Sequence, residues 1–253
     1  MNKEHTVTTY STSQIAEIAG LHPNTVRMYE EWGLIQKTER KKNGYRVFND
    51  IHIKQFELAR KAFQIEVLQA GLRKRIIEAV KLSAQYRFDE AIELTREYIR
   101  IAEQEKENAK EAAGVCEILY QQPKADNVFY KRAQAAKELG LTIDTIRNWE
   151  MNGLLTVKRK QNGYRVYDSN DMNRLKIIRS LRCANYSLSA ILRMLKKYDN
   201  GMDKNDILDI LNTPENDEDI ISACDKLVES LEKAIKNAYE VILMLQEIKQ
   251  IKK

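Results

Sequence analysis

The chain repeats itself. Tyr10 to Leu34 and Tyr130 to Leu154 align at a fixed offset of 120, and ten of the 25 positions are identical: Tyr10, Gln14, Ala16, Gly20, Leu21, Thr25, Arg27, Glu30, Gly33 and Leu34. After a one-residue slip, Asn43-Gly44-Tyr45-Arg46-Val47 recurs as Asn162-Gly163-Tyr164-Arg165-Val166. Two matching blocks in the same order mean two copies of one domain, so the fold must use the same unit twice. Composition narrows the unit. With Gly 9 and Pro 3 in 253 residues, the chain carries roughly half and a quarter of typical usage. That is too few backbone breakers for the turns of a sandwich, barrel or propeller, and it points to a mostly α fold. Hydrophobic content of 43% supports a packed core, and 31% charged residues suit exposed helices.

Each copy parses alike. Ser11 caps a helix over Thr12–Ala19, with Gln14 as its capping-box partner and Gly20 as its stop. Pro23 suits the first turn of a second helix running to about Glu31; in the second copy Thr142 is the cap and the helix runs to about Met151. Two short helices joined by a tight Gly turn make a helix-turn-helix. Ile35–Arg40 and Tyr45–Phe48 flank Asn43-Gly44, and Leu155–Arg159 and Tyr164–Tyr167 flank Asn162-Gly163. Asn-Gly between extended segments signals a hairpin, and a helix-turn-helix followed by a hairpin is a winged helix. Further helices are expected over Asp50–Gln64 and Glu66–Leu82, and over Asp168–Ala184 and Leu188–Lys197. Each half then ends in a long helix, Phe88–Tyr120 or Asp217–Lys249, and a short apolar stretch at Ile207–Leu211 precedes the second.

The expected organisation is a first winged helix-turn-helix domain over 8–83, a long helix over 84–122 and a linker over 123–128. A second such domain follows over 129–199, then a short helix and a long C-terminal coiled-coil helix over 200–253. The fold class is therefore mostly α, with tandem winged helix-turn-helix domains each followed by a long coiled-coil-type helix. On the last helix Ile221, Cys224, Val228, Leu231, Ile235, Ala238, Ile242 and Leu245 alternate at spacings of three and four, a coiled-coil seam. Leu94, Tyr98, Ile101, Ala112, Val115 and Leu119 trace a weaker seam, interrupted at Glu105 and Asn108.

These residues resemble the MerR family of bacterial transcription regulators. The resemblance rests on Thr25-Val26-Arg27-Met28-Tyr29-Glu30 and Thr145-Ile146-Arg147-Asn148-Trp149-Glu150. It rests also on the wings, Gly44-Tyr45-Arg46-Val47-Phe48 and Gly163-Tyr164-Arg165-Val166-Tyr167, and on Ser187-Leu188-Ser189-Ala190-Ile191. The first copy lacks the last motif. The family carries one head per chain, dimerises through a long helix and often ends in a sensor domain. Here there are two heads, and the stretch after Asn212 reads as a helix with no effector domain.

The resemblance implies double-stranded DNA as partner. A recognition helix presents side chains to base edges in the major groove; the candidates are Asn24, Thr25 and Met28, and Asp144, Thr145 and Asn148. Arg27 and Arg147 suit phosphate or guanine. Tyr29 and Trp149 either lie on the sugar-phosphate backbone or plug the core. On the wings, Lys41, Lys42, Tyr45 and Arg46, and Arg159, Lys160, Tyr164 and Arg165, suit phosphates, a sequence-independent and salt-sensitive term. Charge follows the heads: Tyr10–Gln64 holds nine Lys and Arg against six Asp and Glu, or +3, whereas Tyr130–Ala184 holds twelve against five, or +7. The second head should be the stronger electrostatic binder.

Other classes fare worse. The longest apolar run, Val241–Leu245, is far below the roughly 20 residues of a membrane span, and the first ten residues lack a signal-peptide core, so a cytoplasmic protein is expected. Cys116, Cys183 and Cys224 form no CxxC, and the histidines are His5, His22 and His52. No metal and no cofactor is expected, and Cys183 and Cys224 read as small core residues. No nucleophile–base pair or phosphate loop marks an enzyme.

Three functions stay open: a transcription regulator with two heads, acting at a promoter with RNA polymerase; an architectural or excision accessory protein of a mobile element; and a coiled-coil adaptor without DNA binding. The long helices pair within the chain, as a pseudo-dimer on an asymmetric operator, or between chains as a homodimer. Antiparallel pairing from start to end makes paired residue numbers sum to roughly 338, which brings Cys116 near Cys224.

Overall fold

The computed structural model describes residues 8–64, 71–121, 128–157, 163, 165–201, 207–214 and 223–252. The first head opens with α1 (Thr12–Ala19) and α2 (Pro23–Glu31), followed by β1 (Glu39–Arg40), β2 (Arg46–Val47), α3 (Asp50–Ala62) and α4 (Leu72–Ala84). Then comes α5 (Phe88–Gln121). The second head has β3 (Tyr130–Lys131), α6 (Arg132–Leu139), α7 (Ile143–Met151), β4 (Val166–Tyr167), α8 (Ser169–Cys183) and α9 (Leu188–Asp199). It is followed by α10 (Ile207–Asn212), a 3-10 turn (Ala223–Lys226) and α11 (Leu227–Lys252).

The helix-turn-helix forms for the reasons its sequence gives. Ser11 and Gln14 close a capping box on α1, and Gly20 stops it in the left-handed region at φ 61°. A side chain at Gly20 would also sit 3.4 Å from the Arg60 guanidinium, which donates to the Ala19 carbonyl. Gly140 repeats the stop at φ 63°. Pro23 occupies the first turn of α2 behind His22, whose ring accepts from Asn24 N; Thr142 caps α7 by accepting from Thr145 N.

The two heads fill equivalent cores with compensating sizes. Ile15, Ala16, Ala19, Val26, Ile35, Phe48 and Phe56 form the first. In the second, Ala135, Ala136, Leu139, Ile146, Leu155, Tyr167 and Leu175 are buried at the corresponding positions. The volume lost from Ile15 to Ala135 is recovered from Ala19 to Leu139, which keeps density without overpacking. The loop after each recognition helix is tied down differently. In the first head Gln55 accepts from Gln36 N at 2.8 Å and donates to Ser83 O at 3.2 Å. In the second, Arg174 donates to Leu154 O at 2.7 Å and grips Asp199 with both terminal nitrogens at 2.8 and 3.0 Å.

Several expectations are corrected. The expected strand over 35–40 shrinks to Glu39–Arg40, paired with Arg46–Val47, because side chains rather than a ladder satisfy the backbone at Gln36 and Thr38. The segment before α1 joins the wing instead: Tyr10 and Phe48 exchange backbone hydrogen bonds at 2.8 and 2.9 Å, and Tyr130–Lys131 pairs with Val166–Tyr167 in the second head. The fourth helix is described over Leu72–Ala84, behind Gly71, which is left-handed at its cap, φ 70°; Glu66 lies outside the described residues. The last helix starts at Leu227; Asp217 and Ile221 lie outside the described residues. Arg193, 5% exposed, donates to the carbonyls of Ile210, Leu211 and Asp225, and the Ser187 hydroxyl donates to the Asp225 carboxylate. These bonds fold 223–226 into a turn before α11. Most of the expected linker, and the hairpin tip of the second wing, lie outside the described residues.

The chain forms two compact units, Met1–Glu103 with Glu232–Lys253, and Gln104–Leu231. Each holds one head and parts of both long helices. In the first, Lys54 and Lys61 of α3 pair with Glu247 and Glu240 of α11 at 3.2 and 2.7 Å, and Lys249 pairs with Asp89 at 2.5 Å. In the second, Asn185 donates to Glu105 of α5 at 2.9 Å and the Tyr186 hydroxyl donates to Ala109 O at 3.3 Å. Burial pushes the Tyr186 hydroxyl up to about 12, and Ser187 N donates to Cys224 O at 3.3 Å. Cys183, expected in the core, is exposed, because it ends the outer face of α8.

Candidate nucleic-acid interface

The recognition helices turn the expected side chains outward. Asn24, Arg27 and Met28 are exposed on α2, with Thr25 half-buried beside buried Val26. Asp144, Arg147 and Asn148 are exposed on α7, with Thr145 half-buried beside buried Ile146. The 3.6-residue period turns Tyr29 and Glu30, and Trp149 and Glu150, three and four residues after Val26 or Ile146, inward, and leaves the residues between them exposed. Arg27 donates to Asn24 Oδ1 at 3.0 Å, and the Asn148 side-chain Oδ1 accepts from the Asn152 amide at 3.3 Å. The Arg27 and Asn148 side chains are thus partly ordered by bonds along their own helix and its cap.

The two aromatics are placed differently. Trp149 is 5% exposed and sits in the core. Tyr29 is half-buried with its ring 5.4 Å from Phe56; burial pushes its hydroxyl pKa up. On the first wing Lys41, Lys42 and Tyr45 are exposed, Tyr45 at 72%. Arg159, Lys160 and Tyr164 lie outside the described residues.

Both wing arginines have a partner that motif reading left without a role. In the first head Glu30, at the end of α2, has a side chain only 7% exposed. It accepts from Thr38 N at 2.8 Å, from Thr38 Oγ1 at 2.5 Å and from Arg46 Nε. Burial pushes the Glu30 carboxyl up, but the hydrogen bonds from Thr38 and Arg46 outweigh it and hold the pKa below the ordinary value. In the second head Glu150, 8% exposed, accepts from Arg165 Nε at 2.9 Å, from Arg132 at 2.7 Å and from the Tyr167 hydroxyl. Burial, then the Glu150 contact, push Tyr167 up to about 12. The signal was present: Glu30 is one of the ten identical positions, and it follows an aromatic residue in both copies.

Among the described residues no group of three His, Cys, Asp or Glu side chains is placed to hold a metal, and no helix is long and apolar enough to cross a membrane.

The chain is similar in sequence to several transcriptional regulators. HTH-type transcriptional regulator AdhR of Bacillus subtilis is 39% identical over 70 residues, 27% of this chain and 50% of that protein. CueR of Escherichia coli O157:H7 is 40% identical over 53 residues, 21% of this chain and 39% of CueR. ZntR of Escherichia coli K12 is 36% identical over 67 residues, 26% and 48% of the two chains. The chain thus spans half or less of the length of these curated relatives. The crystal structure of HiNmlR, a MerR family regulator lacking the sensor domain, bound to promoter DNA, is 25% identical with a TM-score of 0.29, covering 43% of this chain and 71% of that one. The family model for the MerR HTH family regulatory protein matches residues 10–74 and 130–198, a little over half of the chain. With both heads matched, the chain belongs to the MerR family of helix-turn-helix regulatory proteins.

Proposed function

We propose that this chain is a sequence-specific DNA-binding transcription regulator whose two heads occupy the two halves of one operator. Its own two long helices take the place of the helix pair in a two-chain regulator. The observation that carries this reading is the docking of each head. The first head is bound by Glu240 and Glu247 of the last helix, and the second by Glu105 and Ala109 of the first long helix. Each head therefore leans on the long helix that follows the other head. That exchange is what a two-fold pair needs, and here one polypeptide supplies both sides of it.

Fusion frees the half-sites to differ. Asn24 and Met28 face outward where the second head has Asp144 and Asn148. A methionine offers apolar contact to a thymine methyl, whereas asparagine pairs with adenine. An asymmetric operator follows, with promoter DNA and RNA polymerase as its setting. The test is mass and stoichiometry. Light scattering at micromolar concentration should give a mass near 29.5 kDa, and one chain should saturate one operator duplex. A stable two-chain species, or two chains per duplex, rejects the fused arrangement. Failure to enrich any duplex from a randomised pool rejects DNA recognition itself.

A further inference from the structure

We propose that Glu30 and Glu150 are positioning residues for DNA recognition. Each locks its wing arginine, Arg46 or Arg165, against the recognition helix, so that helix and wing meet the duplex as one rigid surface. This rests on the DNA-binding reading above.

A carboxylate beside a DNA-binding surface is adverse, because it repels the phosphates that the surrounding cations attract. Both heads keep one there and bury it, at 7% and 8% side-chain exposure. Stability alone gives little reason: a buried ion pair is often matched by apolar packing of the same volume, and its better-attested use is to fix one arrangement. The two copies show which partner the carboxylate is for. Among the described residues the remaining donors differ, Thr38 N and Oγ1 in one head, Arg132 and the Tyr167 hydroxyl in the other. Phe48, which aligns with Tyr167, has no hydroxyl, and Thr12 stands where Arg132 does. Among the described residues, the bond from the wing arginine's Nε is the one common to both.

That shared bond has a directional consequence. A guanidinium carries five donors in one plane, and binding through Nε fixes the plane while turning the terminal nitrogens toward another acceptor. Arg46 Nη2 reaches Glu31 at 3.7 Å, a carboxylate 62% exposed and easily exchanged for a phosphate. Arg165, with 38% of its side chain exposed against 17% for Arg46, stands further out. A lysine cannot do this, since it lacks the rigid fork.

The experiment uses the full chain and the duplex it enriches from a randomised pool, with a scrambled duplex of equal length as the non-specific probe. Glu150→Gln is expected to lower affinity for the enriched duplex about tenfold, while the scrambled duplex changes by less than about threefold. Arg165→Lys keeps the charge and should reproduce that loss; the two substitutions together should cost no more than either alone, because they break one bond. Glu30→Gln and Arg46→Lys should behave likewise. A merely structural role lowers both affinities together with the melting temperature, a simple charge effect raises both, and either result overturns the proposal, as does additivity of the pair. If Glu150→Gln does not fold, Arg165→Lys decides by the same comparison. Enrichment by the wild type with unchanged variants sinks this proposal alone; no enrichment by the wild type removes the DNA-binding reading beneath it.

Discussion

Lys249, in the last turns of α11, donates to Asp89, in the first turn of α5, at 2.5 Å. Each charge complements the helix end it occupies, an anion at an N-terminus and a cation near a C-terminus. Asp89 is 81% exposed, so the pair adds little to stability. Its use is as a marker of register, because the start of one long helix lies against the end of the other within one compact unit. Asp89→Cys with Lys249→Cys, in a Cys183→Ser background, should be bridged within one chain by a short bis-maleimide. On a denaturing gel the product should run as a compact monomer. Cross-linked bands at twice the mass would instead place the contact between chains.

The two heads should contribute unequally to affinity. The second carries +7 against +3, and its wing arginine is the more exposed of the two. Arg147→Ala with Arg165→Ala should weaken operator binding more than Arg27→Ala with Arg46→Ala. Each lost phosphate contact should reduce the slope of log affinity against log salt by about 1. Titrations at several salt concentrations measure both quantities. Equal losses from the two pairs would reject the ranking, and a flat salt response would reject the phosphate contacts.

Much of this was legible in the sequence because short-range chemistry specifies it. Ser11 with Gln14, Gly20, Pro23 and Thr142 act within one helical turn, and α1, α2 and α7 begin and end where they dictate. Long-range partners were not legible. Tyr130–Lys131 is a strand only because Val166–Tyr167 lies beside it, and two residues are too few to show alternation. Trp149 could face either way by periodicity, and only the packed head places it inside. Glu30 and Glu150 were legible as repeated letters but not as hubs, since their donors come from eight to eighteen residues away in sequence.

Acid should loosen the first head through His52. This residue is 3% exposed, with Nδ1 3.1 Å from the Asn49 N–H and Nε2 without a partner among the described residues. Burial lowers its pKa below the ordinary 6.5, against the opposing pull of Glu30, Gln36, Asn49 and Glu39. In the unfolded chain the ring protonates first, so the unfolded state binds more protons as pH drops. His52 therefore costs nothing above about 6.5 and destabilises the head as pH falls toward its lower folded value. His52→Gln keeps a side chain able to serve the capping box but cannot titrate. Its melting temperature should fall less than that of the wild type between pH 7.5 and 5.5. An identical fall in both proteins would show that other groups control the acid response.

Thiol reactivity should follow burial rather than helix position. Cys183 is exposed at the end of α8, Cys224 is half-buried in the turn before α11, and Cys116 is fully buried on α5. The Cys116 thiol also donates to Ala112 O at 3.1 Å. A reagent must reach the sulfur as thiolate, and a buried apolar setting disfavours that form. With a chromogenic disulfide in excess, Cys183 should react first, Cys224 more slowly, and Cys116 only as fast as the surrounding helices open. Cys183→Ser should delete the fast phase and leave the others unchanged. Added denaturant should speed the slowest phase alone, because only Cys116 waits on opening of the packing around α5. Reaction of Cys116 at the rate of Cys183 in native buffer would show that this packing does not persist in solution.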